Sequence, residues 1–249
     1  MKKSAPTPDD QALILSNVSP SPAQRRLALG VVLVLLVCSV SLAGPLSRQP
    51  LGRIDAFMPA YGAAIFVSDS ITAILLFAQF SVLRSPALLA LASGYLWSGF
   101  MAILWVLTFP DVLPQTGPLG TGLQSTPWPY LLWHEGFIFS VIVYVLLKDF
   151  DPLKTLSKTG LRRAVLASIA SVAALAVGTT VLITAGHALM PAITLPTARV
   201  SQLFYLLGPL YAMTIVASVL LWLRLRSVLD LWLVGSFLAE RRIVAHDQS

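Results

Sequence analysis

Long apolar runs separated by short polar segments dominate this chain. Each run has about the length that crosses a bilayer as an α-helix, roughly 20 residues at 1.5 Å rise for a hydrocarbon core about 30 Å thick. The strands of a membrane barrel would show short alternating segments, and the sequence has no such pattern. The six runs are residues 27–43, 61–83, 87–109, 130–147, 164–188 and 203–223. The pattern predicts an all-α integral membrane protein, a bundle of six transmembrane helices.

The flanking segments are polar. After the last run, only nine apolar residues separate Asp230 from Glu240, too few to cross the membrane. We therefore expect a short C-terminal interfacial helix there, with Trp232 at the membrane boundary. The predicted organisation is a disordered cytoplasmic segment at residues 1–26, a membrane domain at 27–226, and the interfacial helix with its tail at 227–249.

Composition supports the membrane class and excludes others. The chain is 56% hydrophobic and only 11% charged, against about a quarter charged in soluble domains. The net charge is +6, but the basic residues are not clustered with aromatic residues, so we expect a lipid bilayer and not nucleic acid as partner. Cys38 is the only cysteine, which excludes an intrachain disulfide and a cysteine metal cluster.

The basic residues lie mostly on one side of the predicted helices. Because Lys and Arg are retained on the cytoplasmic side, their distribution predicts that both termini are cytoplasmic. The loop at residues 110–128 has no basic residue and is predicted to be extracytoplasmic. Twelve of the 17 basic residues lie on the side of the N-terminus: Lys2, Lys3, Arg25, Arg26, Arg84, Lys148, Lys154, Lys158, Arg162, Arg163, Arg224 and Arg226.

The first run has an alternative interpretation as a signal peptide, because small residues at 41–43 resemble a cleavage site. The 26 residues that precede the run include Pro6, Pro8 and two aspartates, unlike the short basic region of a signal peptide. An uncleaved anchor fits this segment better.

An acidic residue, Asp69, falls near the middle of the second run, beside a stripe of polar residues that includes Tyr61 and Thr72. An ionisable group at that depth costs at least about 2.5 kcal/mol unless it is solvated or paired, which favours a ligand, proton or ion site. The structural alternative is a protonated Asp69 tied to a hydroxyl of a neighbouring helix. Both interpretations stay open on the sequence.

Two runs carry small residues at four-residue spacing, the pattern that lets helices approach closely in lipid. The third run has Ala90, Gly94, Ser98 and Ala102, and the fifth has Ala170, Ala174 and Gly178. We expect both stripes to be packing seams. Gly208-Pro209 predicts a kink in the sixth run.

The densest candidate chemistry lies at the outer end of the fourth run, where Trp128, Tyr130, Trp133, His134 and Glu135 occur together. They are interpretable as an interfacial aromatic belt, as a pH-sensitive switch, or as the wall of a small-molecule pocket. A metal site is disfavoured, because His134-Glu135 lacks the second His of H-E-x-x-H.

A ligand site, if present, is predicted between the second, third and fourth runs. No catalytic residue, metal or cofactor is predicted. The candidate ligand-binding residues are Tyr61, Asp69, Thr72, Tyr95, Trp128, Trp133 and His134.

Several segments resemble the fourth class of bacterial MASE domains, which are membrane-associated sensors. The resemblance is most specific over residues 57–148 and weaker up to 227–232. It implies an input module of intracellular signalling in a bacterial inner membrane, since such domains usually precede a GGDEF diguanylate cyclase or another output. The segments are D-S-I-T-A-I-L-L-F-A-Q-F at 69–80, L-A-S-G-Y-L at 91–96, L-T-F-P at 107–110, Q-S-T-P-W-P-Y at 124–130, and Trp133-His134.

This chain departs from that family pattern at three places. Leu104 and Trp105 stand where the family has a Pro-His pair, and Glu135 stands where it tends to have a small residue. The sequence also ends at Ser249 without a GGDEF motif, a P-loop or a G-x-S-x-G elbow, so we expect a truncated or stand-alone sensor that is not an enzyme. Its expected partners are a separate signalling protein or a second copy, and its stimulus is unknown.

The alternative function is a small transporter or ion-coupled carrier, motivated by Asp69, Gln79 and His134. The two halves of the chain show no internal repeat and no matching pair of broken helices, which a carrier of this kind would be expected to have. A membrane enzyme would need a further cluster of buried acids, His or Cys.

Overall fold

Helices account for nearly all of the residues that the structure describes. The computed structural model describes residues 21–41, 56–108, 127–148, 157–186 and 200–224, with Asp230 and Leu233. The predicted all-α class is confirmed for these residues. The helices are α1 (Pro22–Ser41), α2 (Phe57–Leu83), α3 (Pro86–Thr108), α4 (Pro127–Leu147), α5 (Lys158–Thr184) and α6 (Val200–Leu223).

Four helices of the described residues, α2 to α5, are long and apolar enough to cross a membrane. The chain is therefore a multi-pass integral membrane protein, with four spans supported where the sequence predicts six. The apolar part of α6 is shorter, Leu207–Leu223. Spans at α1 and α6 remain predictions, and the interfacial helix predicted at residues 227–249 lies outside the described residues except for Asp230 and Leu233.

The helix ends follow local capping rules. Pro22, Pro86 and Pro127 are each the first residue of a helix, where the missing N–H is not needed. Ser157 caps α5 by accepting a hydrogen bond from the Gly160 N–H at 3.1 Å. At the end of α2, Arg84 adopts a left-handed conformation with φ of 56° and donates its N–H to the Phe80 carbonyl.

All six helices begin earlier than hydropathy predicts, and the difference is largest for α1 and α5. The sequence places the first span at residue 27 and the fifth at 164, but α1 begins at Pro22 and α5 at Lys158. The basic residues that precede the apolar runs are therefore already helical. Lys158 and Arg162 consequently lie on the first turns of α5, one helical turn apart.

The packing of α2 to α5 centres on α3. These helices belong to one of the two compact units of the chain, residues 54–217. In that unit α3 packs against α2, α4 and α5. In the most apolar 18-residue stretch of α3, 56% of the window is buried, against 11% in the corresponding stretch of α5. The other unit combines residues 1–53, which include α1, with residues 218–249.

The remaining helix faces in that unit are apolar and exposed. Ile74 and Val82 of α2 and Leu175 and Val177 of α5 each expose more than 60% of their surface. In a soluble protein such surfaces would aggregate, but lipid tails solvate them as well as a protein core would. α6 continues through Pro209, where the expected kink remains a prediction.

Candidate functional site

A chain of three interacting polar side chains crosses from α2 through α3 to α4. The indole N–H of Trp133 donates to the Ser98 hydroxyl, and the Ser98 side chain lies beside the Asp69 carboxyl group and interacts with it. Ser98 itself is buried, with 6% of its surface exposed. Each helix contributes one residue, so we call this set the Asp69 network.

The position of Asp69 makes its carboxyl group costly in free energy unless it has polar partners. It lies one residue from the midpoint of α2 (Phe57–Leu83), which is near the centre of the bilayer if the helix crosses it. A carboxyl group at that depth costs at least about 2.5 kcal/mol without partners. Ser98 supplies the neighbouring hydroxyl that the structural interpretation of Asp69 expects. The network therefore holds α2 to α3 whatever further role Asp69 has.

An aromatic cluster lies directly beside the network and shares Trp133 with it. At its centre is Trp105 of α3, whose ring lies 6.3 Å from the Tyr61 ring of α2. The Trp105 ring is also 6.3 Å from that of Tyr130 and 6.2 Å from that of Trp133, both on α4. Such ring pairs contribute about 0.5–1.5 kcal/mol each beyond their buried area. We define the aromatic cluster as Tyr61, Trp105, Tyr130, Trp133 and His134.

His134 is held in the cluster by both backbone and ring contacts. Its Nδ1 lies 2.7 Å from the Tyr130 carbonyl oxygen. Its ring lies 4.1 Å from the Tyr130 ring and 5.0 Å from the Trp133 ring. The Nδ1 contact fixes the ring orientation, and with Nδ1 protonated it leaves Nε2 as the acceptor. The predicted proximity of His134 to aromatic side chains is therefore present in the structure.

Tyr95 of α3 interacts with residues of both α2 and α4. Its ring packs edge-on against Phe137 of α4 at 5.0 Å. It also interacts electrostatically with Asp69, which places it on the same side of α3 as Ser98. Tyr95 thus joins Asp69 and Trp133 at the contact of α2, α3 and α4.

Two predicted site residues, Thr72 and Trp128, belong to neither the Asp69 network nor the aromatic cluster. Thr72 donates its hydroxyl to the Ser68 carbonyl of its own helix at 2.9 Å. Trp128 packs against the buried cluster of Met101, Leu104 and Ile183, and Trp133 packs against the same cluster. The indole nitrogen of Trp128 is buried and has no hydrogen-bond partner among the described residues. The other five predicted residues belong to the Asp69 network or the aromatic cluster, or interact with Asp69: Tyr61, Asp69, Tyr95, Trp133 and His134.

Small residues make the close approach of α3 and α4 possible. A Cβ atom added to Gly94 would collide with the Ser140 side chain, and one added to Gly136 would lie 2.8 Å from Cδ1 of Trp97. Trp97 donates its indole N–H to the Leu132 carbonyl across the same seam at 3.1 Å. The backbones of α3 and α4 are therefore near enough for Ser98 to reach Trp133.

The described residues contain no group of three or more His, Cys, Asp or Glu side chains that could hold a metal ion. Glu135 lies next to His134 and is half-buried, but it takes no part in the Asp69 network. The site consists of the Asp69 carboxyl group, the Ser98 hydroxyl, the His134 imidazole, and tyrosine and tryptophan rings. Such a set can bind an uncharged or cationic ligand, or change its packing when Asp69 exchanges a proton.

Sequence reasoning missed the positions of Ser98 and Trp105 at the centre of these contacts. Ser98 was interpreted as part of a packing stripe and Trp105 as the replacement of a family His. Their seven-residue spacing places both on one face of α3. That spacing, with a polar residue and a Trp inside an apolar run, is the signal that could have identified them.

Comparison with known proteins identifies the class of this domain. The family model MASE4, described as a membrane-associated sensor, integral membrane domain, matches residues 53–243. The resemblance seen in the sequence is therefore confirmed, and it extends well beyond residues 57–148. Searches of curated proteins and of solved structures found no match.

Proposed function

Because this chain belongs to the MASE4 family of membrane-associated sensors, we propose that it is a multi-pass input module for intracellular signalling. The observation that supports a specific input site is the Asp69 network, which joins three helices through polar atoms deep in an apolar bundle. We propose that a stimulus acts where this network meets the aromatic cluster, at Trp133.

The proposed mechanism is a change in packing at one shared side chain. Trp133 contacts His134 and Trp105 with its ring and Ser98 with its N–H. A ligand or proton that moves the aromatic rings would also lengthen or break the hydrogen bond to Ser98. Since buried packing has discrete alternatives, such a change biases the bundle between two arrangements. The altered helix positions would then be transmitted to an output partner.

Mutation of Asp69 within a signalling fusion tests the input site. The whole chain is fused to a GGDEF cyclase domain, the output that the family resemblance implies, and cyclic-di-GMP is measured in cells. We expect Asp69→Asn, which removes the exchangeable carboxyl proton at nearly constant shape, to change nucleotide output at least severalfold. The control Ser68→Ala alters the adjacent, exposed residue and should leave output unchanged.

Identical output from wild type and Asp69→Asn at equal expression would argue against the proposed site. Substrate uptake into proteoliposomes that Asp69→Asn abolishes would instead identify a carrier. The chain by itself is proposed to have no cyclase activity. Its expression in a strain without other cyclases should leave cyclic-di-GMP unchanged, and a rise would contradict that part of the proposal.

The proposed location is a bacterial inner membrane with both termini in the cytoplasm. The distribution of Lys and Arg supports this orientation. A reporter enzyme fused after Lys158 should be cytoplasmic, and one fused after Gly120 extracytoplasmic. The reverse result at both positions would invert the orientation.

A further inference from the structure

A groove at the end of α2 opposite to Tyr61 combines apolar walls with two cations. It lies between the C-terminal half of α2 and the N-terminal turns of α5 and has a volume of about 630 Å³. This is within the range of about 300–1,000 Å³ typical of ligand pockets. We call it the α2/α5 groove. Among its lining residues are Phe77, Ala78, Lys158, Leu161, Arg162 and Val165.

The two cations lie at one end of the groove. Lys158 is the first residue of α5, and Arg162 follows one turn later, so both side chains emerge on the same face of the helix. Among the described residues, neither cation has an ion-pair partner. Both side chains are exposed and line the groove, so they can contact an anionic group at its mouth.

Beyond the two cations, the walls of the groove are apolar. From Lys158 to Leu166 the helix advances about 12 Å, from the polar end of α5 into its apolar part. The opposite wall presents Phe77 and Ala78. The one hydroxyl on that wall, Ser81, donates to the Ala78 carbonyl at 2.7 Å. The groove therefore offers cations at headgroup level and hydrocarbon contacts beneath them.

We propose that the α2/α5 groove binds an anionic phospholipid. The phosphate lies between Lys158 and Arg162, and one acyl chain lies along the apolar walls. Charge complementarity identifies the headgroup class, and the apolar walls distinguish a lipid from a soluble anion. The basic-residue asymmetry places this end of α5 at the cytoplasmic leaflet, where anionic lipids supply the surface charge. The proposal does not depend on the sensing role proposed for the Asp69 network.

Retention of lipid by the purified full-length chain tests the proposal. The chain is equilibrated in detergent with equal amounts of phosphatidylglycerol and phosphatidylcholine of identical acyl composition, and bound lipids are counted by native mass spectrometry. Wild type should prefer phosphatidylglycerol at least tenfold. Each of Lys158→Gln and Arg162→Gln should reduce this preference about fivefold. The double variant should bring it close to one.

Two further variants separate the groove from general surface charge. Arg163→Gln removes the neighbouring, exposed cation that does not line the groove, and it should change the preference less than twofold. Ala78→Trp fills the groove and keeps both cations, so it should reduce the retention of both lipids. Circular dichroism on every variant verifies the helical content.

Four results would overturn the proposal. Wild type without lipid preference would show that the cations do not select a headgroup, and equal loss in Arg163→Gln would show a non-specific charge effect. Displacement of phosphatidylglycerol by inorganic phosphate alone would identify a soluble-anion site. A dimer mass that Ala78→Trp abolishes would show that a second copy occupies the groove.

Discussion

The small-residue stripes of α3 and α5 have the same pattern in the sequence and opposite environments in the structure. In α3, Gly94 and Ala102 are buried, and a Cβ on Gly94 would collide with Ser140. In α5, Ala170, Ala174 and Gly178 are exposed, and a Cβ on Gly178 would meet nothing within 4 Å among the described residues. The expected seam is present in α3, and the expectation for α5 is wrong within the described part of the domain.

α5 instead attaches through the other side of its helix. Its buried residues are Leu161, Val172 and Ile183, and Ser168 is hydrogen-bonded to Ser93 of α3. Val172 and Ala174 are two residues apart, about 200° around the helix, so the contact face and the small-residue stripe point in opposite directions. A stripe of small residues permits close packing, but it does not by itself produce a neighbour.

The largest expected difference between the two stripes comes from adding bulk to their glycines. Gly94→Leu must displace Ser140 and separate α3 from α4, so we expect destabilisation of about 3 kcal/mol or failure to fold. Gly178→Leu places the same side chain toward open space and should change stability by less than about 0.5 kcal/mol. Thermal unfolding of both variants in the same detergent measures the contrast. Equal destabilisation would show that α5 has a close partner at Gly178.

Ser98 tests whether the α3 seam is held by its polar atoms as well as by shape. Ser98→Ala leaves the Trp133 N–H and the Asp69 carboxyl without their shared partner. We expect a loss of about 1–2 kcal/mol, since buried groups left without a partner cost about 1–3 kcal/mol and hydrogen bonds in membranes reach about 1.7. The control is Ser81→Ala, whose exposed hydroxyl bonds only to its own helix.

A double-mutant cycle resolves the same bond further. Trp133→Phe keeps most of the ring and removes the N–H. Because both substitutions remove the same hydrogen bond, the effects of Ser98→Ala and Trp133→Phe on the free energy of unfolding should be non-additive by about 1 kcal/mol. Additive effects would mean that each substitution acts only through packing.

Substitution of Trp105 measures how much the aromatic cluster stabilises the packing of α3 against α2. The ring contacts of Trp105 with Tyr61 link α3 to α2. A cycle of Trp105→Leu and Tyr61→Leu should give a coupling free energy of about 0.5–1.5 kcal/mol. Phe139→Leu changes an aromatic residue of α4 that is 60% exposed and is the control. No coupling between Trp105 and Tyr61 would remove Tyr61 from the cluster.

The smallest expected effect belongs to the contact that attaches α5. Ser168→Ala removes the hydrogen bond to Ser93 and should cost about 0.6 kcal/mol, the average for such bonds in membranes. Ser171→Ala lies three residues on, is exposed, and should cost nothing measurable. Comparing unfolding free energies of the two variants against wild type measures the difference. A larger cost for Ser171→Ala would place the contact face of α5 elsewhere.

The sequence by itself determined the membrane class, the approximate limits of four spans and the depth of Asp69. These properties are local, because a helix in lipid satisfies its backbone within its own segment and its length follows from the bilayer. The family was also readable from motifs spread over residues 57–148, and the match over 53–243 confirms it. The predicted helix starts were less accurate, because α5 includes basic residues that hydropathy assigns to a loop.

Only the tertiary structure decided which faces meet. It paired Asp69 with Ser98, made Trp105 the centre of the aromatic cluster, and placed Trp128 against the core around Met101. The physical reason is that lipid tails are as apolar as leucine side chains, so hydrophobic periodicity does not separate a lipid-facing stripe from a packed one. Packing and a few hydrogen bonds choose the neighbours, and this is why α3 uses its small-residue stripe and α5 does not.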